Sequence, residues 1–125
     1  MLKNKKLLFF TALIYTCILL YFSLANASGI MPETGIKFQD KFFHFGAYAG
    51  LSALWGLFSV LQKKTKALSY SFLATLILGI VLELIQEKVN PLRTYDILDL
   101  LSNCLGVIIG TIIVLIYFNN RTLKN

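Results

Sequence analysis

The chain has 125 residues, of which 57% are hydrophobic and only 14% charged, against about 25% charged in a typical soluble domain. With a mean hydropathy of +0.71, too little polar surface is available to wrap a soluble globule. That excludes a disordered chain, a nucleic-acid-binding domain and an ordinary cytosolic enzyme, and leaves a single membrane domain over residues 1–125.

A bilayer core of about 30 Å needs roughly 20 helical residues, and four segments meet that length. The first span, 7–24, follows Lys3, Lys5 and Lys6. Its apolar run of about 18 residues exceeds the roughly 7–15 of a secretory signal, so a retained span is expected, although Ala25-Asn26-Ala27 has the look of a cleavage site. Gly29, Pro32 and Gly35 break the segment that follows. The second span covers 42–61, a short basic loop occupies 62–66, and the third span covers 67–85. Asn90-Pro91 interrupts the next connection before the fourth span, 100–118. Cys17 and Cys104 lie in apolar runs without disulfide or zinc spacing, and read as small core residues. The expected fold is an all-α, four-helix integral membrane bundle.

Charge orients it. If four spans alternate, Lys3, Lys5, Lys6, Lys63, Lys64, Lys66, Arg121 and Lys124 share one side, a balance of +8. Lys37, Lys41, Lys88 and Arg93 fall on the other side with all six acids, Glu33, Asp40, Glu83, Glu87, Asp96 and Asp99, a balance of −2. By the positive-inside bias both termini are expected to be cytoplasmic, and the acid-rich face external. Such a chain belongs in a cell membrane, with the lipid bilayer as its first partner and no role for nucleic acid.

The polar residues of the spans are not scattered. On a helical wheel Asp40, His44 and Tyr48 form one stripe of span two. Gly79, Glu83, Gln86 and Glu87 share an arc of span three, and Asp96, Asp99, Asn103, Gly106 and Gly110 an arc of span four. All lie towards the outer ends. An ionisable group within a span costs a few kcal/mol and marks a functional site by default. The stripes are therefore expected to face one another, with Lys41, His44 and Arg93 as cationic or donor partners of the acids. Asp40 and Asp96 also suit helix capping. The pairs Gly46–Gly50 and Gly106–Gly110 read most simply as close-packing helix faces. Tyr48 and Trp55 suit packing, and Tyr95 the membrane interface.

Specific chemistry is harder to read. There is no activated Ser or Cys motif, no Gly-rich phosphate loop and no H-E-x-x-H. One histidine among dispersed carboxylates is a weak metal signal, so neither metal nor cofactor is expected. Acid–base work by Glu83 and His44 is physically possible. No inverted repeat marks a transporter.

The ordered set Asp40-Lys41-x-x-His44-Phe45-x-x-Tyr48, Gly79-x-x-x-Glu83-x-x-Gln86 and Arg93-x-x-Asp96-x-x-Asp99-x-x-x-Asn103-x-x-Gly106-x-x-x-Gly110 resembles the VanZ-like family, as does Tyr21-Phe22-Ser23 at the end of span one. The likeness covers essentially the whole chain. It implies a small bacterial membrane protein of a family whose founding member is linked to low-level resistance to the glycopeptide teicoplanin, and whose biochemical activity is not established. The expected function is a non-enzymatic envelope protein with an outer-leaflet polar site for an envelope lipid, a lipid-linked precursor or a glycopeptide. The alternative is a membrane-embedded hydrolase or transferase acting on an outer-leaflet lipid-linked substrate. Ligand and oligomeric state stay open.

Overall fold

A computed structural model describes residues 4–25, 39–64, 66–89 and 96–124. It contains four helices: α1 (Lys5–Leu24), α2 (Gln39–Leu61), α3 (Ala67–Val89) and α4 (Ile97–Lys124). Each includes a stretch long and apolar enough to cross a bilayer, with mean hydropathy from 1.2 to 2.3. The described residues are thus those of a helical, multi-pass membrane protein.

The helices overrun the apolar spans, because a helix ends where its capping groups allow and not where hydropathy falls. Asn4 caps α1 by accepting from the Leu7 N–H at 3.1 Å. In α2 the start moves out to Gln39 and brings Asp40 into the first turn, where a carboxylate favours the positive end of the helix dipole. In α3 the extension to Val89 places Lys88 in the last turn, the matching arrangement at the negative end. Lys63 adopts a left-handed φ of 55° just after α2. Around it the Gln62 and Lys63 N–H groups donate to the Ser59 and Val60 carbonyls at 3.0 and 3.3 Å, closing the last turn.

Burial is inverted relative to a soluble bundle. Phe10, Ile14 and Ile18 of α1 and Ile113 and Ile116 of α4 are exposed, whereas Ser52, Thr75, Glu83, Gln86 and Asn103 are buried. Among lipid tails the burial of apolar area gains little, while polar side chains are driven together. A modest apolar core remains, built from Leu19, Tyr48, Leu51, Leu82 and Val107.

The closest helix approach joins α2 to α4. A Cβ on Gly106 would run into the Phe45 carbonyl and reach the Ala49 nitrogen at 3.0 Å, and one on Gly110 would meet the Ala49 carbonyl and the Ser52 hydroxyl. Phe45, Ala49 and Ser52 recur at i, i+4 and i+7, so one stripe of α2 takes the glycine face of α4 against its backbone. The expected Gly46–Gly50 face does not form as a unit. Gly50 admits the Tyr15 side chain, whose hydroxyl donates to the Ala47 carbonyl at 2.6 Å. At Gly46 a Cβ would meet no described atom within 4 Å. Register is the cause, since the seam with α4 uses position 45 and leaves its neighbour 46 outside. Cys17 likewise departs from the expected core position and is exposed, because α1 buries only the stripe of Leu8, Ala12 and Leu19.

Candidate functional site

Ionisable side chains from three helices meet where the first turns of α2 and α4 approach the last turns of α3. Lys41 is the hub. Its ammonium lies 2.5 Å from Asp40, 2.6 Å from Asp96 and 2.9 Å from Asp99. The Oδ1 atom of Asp99 is buried, and the Lys41 ammonium is its ion-pair partner. Asp96 has two roles. Its Oδ1 accepts from the Leu98 N–H at 2.9 Å and caps α4, while its Oδ2 takes the lysine.

The Lys41 ammonium beside Asp96, helped by the Leu98 N–H, holds the Asp96 carboxyl below its ordinary value of 3.8. A lowered folded value means that this contribution to stability is complete above 3.8 and is lost as pH falls through the lower folded value. Asp96→Asn is therefore expected to destabilise the protein at neutral pH. The effect should be below about 1 kcal/mol, because the carboxylate is partly solvated. Detergent-unfolding curves should show the variant and the unmodified protein converging as the pH falls below 3.8.

A second chain of contacts orients His44. The Asn103 side-chain amide donates to the Gly79 carbonyl at 3.2 Å, which turns its oxygen towards His44 Nδ1, 3.0 Å away. Because that oxygen can only accept, Nδ1 carries the hydrogen. The other ring nitrogen, Nε2, faces Asp99 Oδ2 at 3.6 Å. The approach depends on a glycine, since a Cβ at Gly79 would stand 3.0 Å from the Tyr48 ring and 3.3 Å from the Asn103 Cβ. Glu83 is only 2% exposed, and its Oε1 accepts a long hydrogen bond from the Asp96 N–H at 3.4 Å. One ligating atom from each of His44, Glu83 and Asp99 lies within 4.8 Å of the others, as does one from each of Asp40, Asp96 and Asp99.

The structure thus brings together Asp40, Lys41, His44, Glu83, Asp96, Asp99 and Asn103. Tyr48 and Gln86 stand apart and anchor α1. Gln86 donates to the Ser23 carbonyl at 2.9 Å, satisfying one of the open carbonyls at the end of that helix. The Tyr48 ring is in the apolar core, and its hydroxyl pairs with the Ser23 side chain. Arg93 lies outside the described residues. The Lys41 ammonium is held by three carboxylates of the cluster itself. Ser23 was not singled out by periodicity. Its signal lay in the Tyr21-Phe22-Ser23 likeness, since a serine at a helix end says nothing by itself about its partner. The Thr16 hydroxyl, which accepts from the Trp55 indole at 2.9 Å, is a similar link between α1 and α2.

Compared with protein-family models, curated proteins and solved structures, the chain matches none.

Proposed function

We propose that the chain is a bacterial envelope protein with both termini cytoplasmic, whose polar cluster lies at the outer leaflet and binds the polar head of an envelope lipid or lipid-linked precursor. The carrying observation is the convergence of ionisable groups from three helices on one end of the bundle, with Glu83 only 2% exposed. Burying such groups is costly in a membrane domain, and packing alone does not require it. The charge asymmetry of the loops supports the orientation, and the resemblance to VanZ-like proteins supports a link to glycopeptide resistance. Because Lys41 is held internally, the cluster offers mainly acceptors. These suit a head group rich in hydroxyl, amide or amine donors, with Arg93 as the cation for an anionic part.

The test is to replace Glu83, His44 or Arg93 and to measure glycopeptide susceptibility and co-purifying lipids at matched protein abundance. Loss of either at normal abundance is expected. Unchanged values of both would remove the cluster from this role. A second reading, an embedded hydrolase or transferase for an outer-leaflet lipid, is favoured by the placement of His44 Nε2 beside Asp99 and Glu83, where it is suited to acid–base work. It predicts turnover of a lipid extract by the purified protein, abolished by Glu83→Gln.

A further inference from the structure

We propose that His44, Glu83 and Asp99 form a binding site for a divalent transition-metal ion of borderline softness, such as Zn2+. The donors are one imidazole nitrogen and two carboxylates, supplied by α2, α3 and α4. Their ligating atoms already lie within 4.8 Å of one another, and His44 Nε2 is 3.6 Å from Asp99 Oδ2. Two donors at about 2.0–2.1 Å from a tetrahedral zinc stand roughly 3.3 Å apart. Side-chain adjustment therefore closes the site, and the helices need not move.

Two further observations point the same way. The hydrogen on His44 Nδ1 is fixed by Asn103, which is itself fixed by the Gly79 carbonyl. In its neutral form the ring then turns the Nε2 lone pair towards the two acids. A ligating histidine characteristically has its other ring nitrogen held in this way. In addition, Glu83 is almost wholly buried, with a carboxylate oxygen close to both His44 and Asp99.

Charge sets the sign of the ligand. Asp40, Asp96 and Asp99 have Lys41 among them, yet within the described cluster four carboxylates stand against that one ammonium. A dication at the His44 side offsets the excess. An imidazole with two carboxylates suits zinc, manganese or iron, whereas calcium takes six to eight oxygens. Three protein ligands leave a coordination position open, as in zinc sites that act on a bound molecule. The inference does not require the head-group reading, although both use His44, Glu83 and Asp99 of the same cluster.

The test uses the full chain, purified in detergent, stripped with a chelator and equilibrated with Zn2+. About one zinc per chain by elemental analysis is expected, together with a rise in unfolding temperature. Glu83→Gln and His44→Ala should each weaken binding at least tenfold with helicity unchanged by circular dichroism. Asn103→Ala, which leaves every ligand in place, should weaken it about 10- to 100-fold. Should a variant fold poorly, Co2+ loading of the unmodified protein gives an independent reading, with ligand-field absorption expected from a low-symmetry nitrogen–oxygen site. Substoichiometric zinc on the unmodified protein, the absence of those cobalt bands, or binding undiminished by the ligand substitutions overturns the proposal. Lipid co-purification is scored separately, so failure of the metal site is distinguishable from failure of head-group binding.

Discussion

Gly110→Ala is expected to destabilise the bundle by about 1–3 kcal/mol, whereas Gly46→Ala should stabilise it by about 0.5–1 kcal/mol. The two residues are of the same type, each within a helix and each in a G-x-x-x-G pair, so the opposite signs come from surroundings alone. At Gly46 a methyl meets no described atom within 4 Å. Only the gain in helix propensity remains. At Gly110 it meets the Ala49 carbonyl as well as the Ser52 hydroxyl. The hydroxyl can rotate away, but the carbonyl belongs to the α2 backbone, so the helices must separate. In lipid that separation forfeits van der Waals contact, with no hydrophobic force to restore it. Gly106 abuts the Phe45 carbonyl and should behave like Gly110. Gly110→Leu should abolish the seam. Unfolding in mixed micelles, followed through Trp55 fluorescence, measures all four. Equal effects of alanine at positions 46 and 110 would show that the α2–α4 seam is not the close one.

That contrast marks where sequence reasoning stops. Length and apolarity suffice for four helices because the bilayer imposes a minimum span, whatever the partner. Helical periodicity likewise places Asp40 with His44, Glu83 near Gly79, and Asp99 with Asn103 on single faces. What periodicity lacks is the rotation of each helix about its axis relative to its neighbour. Gly46 and Gly50 make as good a small-residue pair as Gly106 and Gly110, yet the face that α2 turns to α4 is Phe45, Ala49 and Ser52. Helix ends are equally hard to read, for Gln39 and Val89 lie beyond the apolar stretches, where Asp40 and Lys88 suit the helix dipole. Lys41 shows the same limit for charge. Its position told which side of the bundle it occupies, and only the fold supplies Asp96, fifty-five residues away, as its partner.

Lys41→Met should be among the most damaging single substitutions, at or somewhat below the lower end of the roughly 3–5 kcal/mol seen when one partner is removed from a buried ion pair. Methionine keeps most of the volume, so the loss is one of charge. Without the ammonium, Asp40, Asp96 and Asp99 repel one another across the distances it now spans. The three do not suffer equally. Asp40 and Asp96 have 47% and 36% of their side chains exposed and can turn to water, whereas Asp99, at 13%, cannot. Most of the cost therefore falls on Asp99, and Asp99→Asn added to Lys41→Met should recover a substantial part of it, so that the two substitutions are strongly non-additive. Acid should narrow the gap between Lys41→Met and the unmodified protein, since protonated carboxyls no longer repel. Detergent-unfolding midpoints for the two single variants and the double variant, at neutral and acid pH, decide the matter. If the effects of the two substitutions simply add, the lysine is a solvated surface cation rather than the group that holds α2 to α4.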